Sequence, residues 1–270
     1  MRPITRGTVV VITGAGSGIG RATAFAFARR GCRLVLGDLR LDAVHATASR
    51  IRDRYASDVV ALACDVRSDA DVAALIDAAP GHYGSLDVLV NNAGVGYYGR
   101  VEDTPIGALR ELFDTNVLGV QRGVRAAVPL MRAQARGHIV IVGSVNGKLG
   151  WPFHGAYSAT KFALTGLTQA LRMELAGSGV SASLVLPANV RTRFYAEAAI
   201  ATPGYEPAPL GPTRSPQSVA GLVVRAVERR SPELNTTGAV RLATVGAEAF
   251  PSLHSAAGAW WYRRRWKRIE

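Results

Sequence analysis

The chain is short of cysteine, of acidic charge and of long hydrophobic runs, and each shortage removes a class of protein. Its 270 residues hold two cysteines, Cys32 and Cys64. Two thiols cannot build a disulfide framework, and so few point to a reducing compartment, expected to be the cytoplasm. Both border apolar runs, as small buried thiols do. No uninterrupted apolar stretch approaches the ~20 residues that span a bilayer. Arg2 and Arg6 ahead of Val9–Ile12 imitate the opening of a secretory leader, but a glycine turn and an amphipathic helix follow instead of a cleavage region. The five histidines, His45, His82, His138, His154 and His254, show no ligand spacing, so no metal is expected. Against 32 Lys+Arg stand 20 Asp+Glu, a net charge of +12. Such an excess raises nucleic acid or an anionic membrane as partners. No nucleic-acid signature accompanies the cations, so no nucleic-acid partner is expected.

With 48% hydrophobic and 19% charged residues, the composition is that of a folded chain. Apolar runs at Val9–Ile12, Leu34–Leu36, Val59–Leu62, Val88–Val90, Ile139–Val142 and Val180–Leu186 alternate with helix-period segments. The helical segments are Ile19–Arg30, Leu41–Arg54, Asp69–Ala79, Pro105–Ala135, Ala156–Ala176 and Pro216–Arg230. Apolar runs without alternation suit strands covered on both faces. The order implies an α/β protein: one Rossmann-type, doubly wound domain whose mostly parallel sheet of about seven strands is flanked by helices. The domain is assigned to residues 1–250. Five of the 13 prolines fall in 193–216, which suits a lid as well as an irregular surface loop. Residues 251–270 form an aromatic-basic tail.

The first run ends in Thr13-Gly14-Ala15-Gly16-Ser17-Gly18-Ile19-Gly20 and opens into a helix. Glycines allow a tight turn and close approach to a diphosphate, and the helix start offers free N–H groups. Asp38 closes the second run, eighteen residues after Gly20, near the spacing of a carboxylate that holds adenosine ribose hydroxyls. A carboxylate there accepts from a free 2′-hydroxyl and repels a 2′-phosphate. NAD is therefore favoured, with NADP left possible because Arg40 lies two residues on.

The pattern Thr-Gly-x-x-x-Gly-Ile-Gly resembles the short-chain dehydrogenase/reductase family. Asp65-Val66, Asn91-Asn92-Ala93-Gly94, Asn116, Ser144 and Tyr157-x-x-x-Lys161 follow in family order between about residues 7 and 192. The resemblance implies that Gly14, Ser17, Gly18 and Ile19 cradle the diphosphate. It implies that Asp65 and Val66 hold the adenine, and that Asn92, Ala93 and Gly94 shape a turn beside the cofactor. The alternative for the asparagines is to tie strands together. Pro187, Val190 and Thr192 are implied near the nicotinamide, although Ala188 stands where the family commonly has glycine.

Tyr157 and Lys161 lie four apart and share a helix face; Ser144 ends the strand before them. A free phenol titrates near ~10, too high for acid/base work at neutral pH. The Lys161 ammonium, with an oxidised nicotinamide, favours phenolate and lowers that value. Tyr157 thus reads as general acid/base, Ser144 as the donor to the substrate oxygen, and Lys161 as a further partner of the nicotinamide ribose. By resemblance Asn116 holds a proton-relay water; taken bare it is a polar residue with local bonds.

The expected reaction is interconversion of a secondary alcohol and a ketone. Tyr97, Tyr98, Val145, Leu149, Trp151, Phe153 and Phe194 suit a hydrophobic or lipid-like small-molecule substrate. The rival is a catalytically silent nucleotide-binding regulator on the same fold. A homodimer or homotetramer is implied by resemblance alone. Trp260, Trp261 and Trp266, with Arg263, Arg264, Arg265, Lys267 and Arg268, leave the segment 259–270 two readings: contact with an anionic membrane surface, or docking onto protein.

Overall fold

Successive residues of a strand face opposite ways, so a strand that is apolar throughout must be covered twice. The first strand shows this in a computed structural model, which describes residues 4–55, 57–202, 205–207 and 212–266. In β1 (Val9–Thr13) all five residues are buried. Val10 and Ile12 enter one core, and Val9 and Val11 enter the other.

The chain continues through α1 (Gly18–Ala28), β2 (Arg33–Asp38), α2 (Leu41–Tyr55), β3 (Val59–Ala63), α3 (Asp69–Tyr83), β4 (Val88–Asn91) and a short β5 (Tyr97–Tyr98). Then come α4 (Ile106–Phe113), α5 (Gly119–Ala133), β6 (Gly137–Val142), α6 (Gly155–Glu174), β7 (Val180–Leu186), α7 (Phe194–Glu197) and β8 (Ala199–Ile200). The chain closes with α8 (Pro216–Arg229), β9 (Glu233–Asn235), α9 (Gly238–Ala249) and α10 (Pro251–Trp266). Seven parallel strands form the main sheet in the order β3-β2-β1-β4-β6-β7-β9. Helices α1, α2 and α8 supply one core, and α3, α5 and α6 the other. The strand order reverses between β1 and β4, and ligands of open α/β sheets bind at the carboxyl ends of strands at such a switch point.

Four local features differ from the sequence reading. The long helix expected over 105–135 is interrupted by a π-helical turn at Asp114–Leu118, which contains Asn116. The apolar stretch 239–243 lies in α9, started by the Thr237 hydroxyl accepting from Val240 N–H. The seventh strand, which no apolar run marks, is the half-buried Glu233–Asn235 on the sheet edge. The 193–216 segment carries α7 and β8, and β8 pairs with β5 in a separate two-stranded ribbon. Pro203 and Pro209 of that segment lie outside the described residues.

Cys32 and Cys64 are free and buried, and burial pushes both thiols up to about 12. His138 is enclosed between the Ser181 and Ser183 hydroxyls at 2.7 and 2.9 Å, and burial lowers it to about 3. No cluster of potential metal ligands occurs among the described residues. No described helix is long and apolar enough to cross a membrane.

Candidate active site

A cleft of about 600 Å³ opens at the carboxyl ends of the central strands. It is lined by Gly14, Ser17, Gly18, Ile19, Asp38, Asp65, Val66, Asn92, Ala93, Gly94, Ser144, Tyr157, Lys161, Pro187, Val190 and Thr192. Residues scattered over most of the sequence therefore meet in one cavity. Asn116 lies behind this lining, fully buried.

The glycine turn is built for close approach. Gly18 has φ +51°, left-handed backbone that disfavours side chains, and a Cβ there would press on the Thr192 methyl at 3.2 Å. A Cβ on Gly20 would strike the Gly14 carbonyl. Asn92 ties this turn to the fourth strand: its amide donates to the carbonyls of Thr13 (3.0 Å) and Gly14 (3.2 Å). The strand-tying alternative thus describes its side chain.

Asp38 does two jobs. One carboxylate oxygen accepts from Gly16 N–H at 2.8 Å and the other from Arg40 N–H at 3.0 Å. The Arg40 guanidinium is turned to Glu197 of α7 at 3.9 Å. Asp65 is held by Arg67, whose guanidinium donates to it at 2.6 Å and keeps its carboxyl below the usual range. The cradle fits a nicotinamide dinucleotide: side-chain-free backbone lies at the helix start, and a carboxylate stands about where the adenosine ribose ends.

At the other end, the Tyr157 phenol and the Ser144 hydroxyl both line the cleft, close enough for Ser144 to act on the phenol. Ser144 lies two residues beyond β6 and accepts from Asn146 N–H at 3.2 Å. The Lys161 ammonium donates to the Val142 carbonyl at 3.3 Å and lies 5.6 Å from the Tyr157 ring centre. Burial lowers Lys161 to about 8. It pushes Tyr157 upward, with Ser144 opposing it. In the protein alone, desolvation of the phenolate dominates; the expected lowering belongs to Lys161 together with an oxidised nicotinamide.

For Asn116, the alternative of a polar residue with local bonds is corrected, because its partners are distant in sequence. Its oxygen accepts from Val95 N–H (2.8 Å), and its amide donates to the Val95 carbonyl (3.0 Å) and Thr160 hydroxyl (3.2 Å). Thr160 in turn donates to the Tyr157 carbonyl at 2.7 Å. Asn116 therefore braces the turn after β4 against the helix carrying Tyr157.

The apolar wall differs from the sequence expectation. Tyr97 and Phe194 line the cleft, joined by Ala108, Leu112, Tyr195 and Ala199. Tyr98, Phe153 and Trp151 turn instead toward Tyr205, Trp261 and Tyr262, because α10 covers that side. Val145 and Leu149 also stand outside the lining. Of the tail, Trp261 and Tyr262 dock onto the protein, whereas Trp260 is exposed under Arg264 at 4.1 Å. The side chains of Arg265 and Trp266, and all of Lys267 and Arg268, lie outside the described residues.

One feature had no motif to announce it. Arg21, Arg191 and Arg193 line a recess beside Ser17, Gly18 and Thr192, with no acidic residue in its wall. Their separation in sequence hid a cationic border to the glycine turn.

The model described as short chain dehydrogenase matches residues 8–201. Estradiol 17-beta-dehydrogenase 11 of Rattus norvegicus is 32% identical over 248 residues, 91% of this chain and 80% of that protein. Glycine betaine reductase ATRR of Emericella nidulans is 38% identical over 188 residues, 69% of this chain but only 15% of that longer protein. Among solved structures, a short chain dehydrogenase/reductase from Burkholderia phymatum in complex with NAD is 33% identical. It superposes with TM-score 0.83 over 94% of this chain and 96% of its own. Alcohol dehydrogenase from Thermococcus sibiricus, complexed with 5-hydroxy-NADP, is 28% identical with TM-score 0.74, over 84% and 95% of the two chains.

Proposed function

The chain belongs to the short-chain dehydrogenase/reductase family of oxidoreductases, and from that premise we propose that it interconverts a hydrophobic secondary alcohol and its ketone. The observation that carries this reading is that Ser144, Tyr157 and Lys161 line the same cleft as the glycine turn, with Lys161 5.6 Å from the Tyr157 ring centre. A protein that only bound nucleotide would need the turn and not these three side chains.

Gly14, Ser17, Gly18 and Ile19 would hold the cofactor diphosphate, Asp38 the adenosine ribose, Asp65 and Val66 the adenine, and Lys161 the nicotinamide ribose. Asn92, Ala93, Gly94, Pro187, Val190 and Thr192 would enclose the nicotinamide end. When bound, the nicotinamide supplies or accepts the hydride. Ser144 donates a hydrogen bond to the substrate oxygen, fixing it and stabilising the charge that develops there. Tyr157 gives its proton to that oxygen in reduction and takes one from the alcohol in oxidation. Lys161 stabilises phenolate, and Asn116 holds the backbone from which Tyr157 is presented.

NAD is the proposed cofactor. The Asp38 carboxylate is fixed in place by two backbone N–H donors, and a carboxylate there would repel a 2′-phosphate. Arg40, two residues on, faces Glu197. The apolar wall of Tyr97, Leu112, Phe194 and Ala199 supports a hydrophobic or lipid-like substrate. Residues 193–202, which supply Phe194, Tyr195 and Ala199 to this wall, are proposed as part of a lid. A homodimer or homotetramer is proposed by family likeness. Following NADH absorbance across a panel of hydrophobic ketones and alcohols tests the substrate class. Turnover of aliphatic or steroidal ketones is expected; turnover confined to polar sugars would reject the hydrophobic reading.

A further inference from the structure

Ser144 and Tyr157 sit at opposite ends of a connecting loop, so the placement of that loop sets the placement of both hydroxyls. The loop is held from outside by one face of α10. His254 Nε2 lies 2.8 Å from the Gly150 carbonyl, and its ring lies 5.7 Å from that of Trp151. Gly258 comes so close to Pro152 that a Cβ there would lie 3.7 Å from the proline ring. Trp261 packs against Trp151 at 5.7 Å and edge-on to Phe153 at 6.3 Å. The Tyr262 ring lies 5.4 Å from that of Phe153, and its hydroxyl accepts from Arg100. Positions 254, 258, 261 and 262 share one helical face. Leu253 and Trp260 point elsewhere and are exposed.

What this face grips is strained. Phe153 has φ +66°, left-handed backbone that a bulky side chain adopts only when its surroundings impose it. Those surroundings are Tyr205, stacked on it at 4.2 Å, and Trp261 and Tyr262. The Phe153 carbonyl accepts from Gly99 N–H at 2.9 Å. The next residue, His154, is lowered to about 4 by burial, so its neutral Nδ1 accepts from the Asn146 amide at 2.9 Å. Asn146 N–H donates to Ser144, and His154 stands directly before α6 with Tyr157 three residues on. A continuous line of contacts thus runs from Trp261 and Tyr262 through Phe153 and His154 to the Ser144 hydroxyl and to the start of the helix that carries Tyr157.

We propose that α10 is a clamp on the active-site loop, and that Trp261 and Tyr262 are positioning residues that hold Tyr157 against Ser144. The proposal rests on the oxidoreductase reading and assigns the aromatic tail a part in it.

The test compares the full chain with Trp261→Ala, Tyr262→Ala and Trp261→Phe, using NADH titration, steady-state kinetics and hydrogen exchange. In Trp261→Ala, amides of 148–156 should exchange faster while those of β1 and α1 keep their rates. Affinity for NADH should stay within about twofold, whereas kcat should fall about tenfold or more, because a misplaced catalytic group costs rate rather than cofactor binding. Trp261→Phe should recover most of the lost rate. Faster exchange with kcat unchanged would overturn the positioning role. Parallel loss of kcat and NADH affinity, without rescue by phenylalanine, would reduce α10 to general stability and overturn it too. The exchange comparison needs no substrate. Absence of turnover in the unaltered chain would defeat the oxidoreductase reading, whereas unchanged exchange would defeat the clamp.

Discussion

At the scale of single residues, the proposed chemistry rests on two buried groups, the Tyr157 phenol and the Lys161 ammonium. Tyr157 and Lys161 share a face because they are four apart. That burial raises the phenol and lowers the ammonium to about 8 follows from what surrounds them. The proposed ribose-acceptor role of Asp38 comes from its distance to the glycine turn. Its second task, holding Gly16 N–H, was not legible in the sequence, because it depends on the turn folding back over β2. The two tasks separate in a variant. Asp38→Asn keeps an acceptor for Gly16 and loses the charge that repels a 2′-phosphate. The ratio of NADPH to NADH affinity should rise about tenfold or more, on the order of 1.4 kcal/mol, read from cofactor titrations. An unchanged ratio would remove Asp38 from cofactor choice.

At the scale of elements, the six apolar runs became strands; five are buried on two faces, a pattern that survives in one dimension, and β3 at the sheet edge is only partly buried. β9 left no such trace: Glu233–Asn235 is short, half-buried and on the sheet edge. The π turn at Asp114–Leu118 was hidden by an apolar period that continues across it. Such turns recur at functional sites, and this one carries Asn116 to Val95 and Thr160. In Asn116→Ala the Val95 N–H and carbonyl lose their partners. Stability should fall by about 1–3 kcal/mol in urea unfolding, with kcat lowered through the Thr160–Tyr157 link. Unaltered unfolding would show that water replaces the amide. The fate of Trp151 and Phe153 was equally illegible, since nothing in the 145–153 segment announces that α10 will cover it.

At the scale of the molecule, the charge of +12 no longer names a partner. Part of it borders the glycine turn through Arg21, Arg191 and Arg193, where an anionic cofactor gains from it. Burial also makes the fold acid-sensitive. His138 and His154 are lowered from 6.5 to about 3 and about 4, so they fold neutral. Between those values and 6.5 the unfolded chain binds more protons than the folded one. Stability should therefore fall on acidification below pH 6.5, by about 1.4 kcal/mol per pH unit for each histidine, in denaturant melts. A flat profile would mean that the two rings take up protons without opening the fold. The central claim, that Tyr157 moves the proton, is tested most directly by pairing NADH titration with turnover in Tyr157→Phe. The phenylalanine ring keeps the packing and lacks the proton, so NADH affinity should stay within about twofold while kcat falls by roughly 10²–10⁴. Turnover equal to that of the unaltered chain would contradict the account.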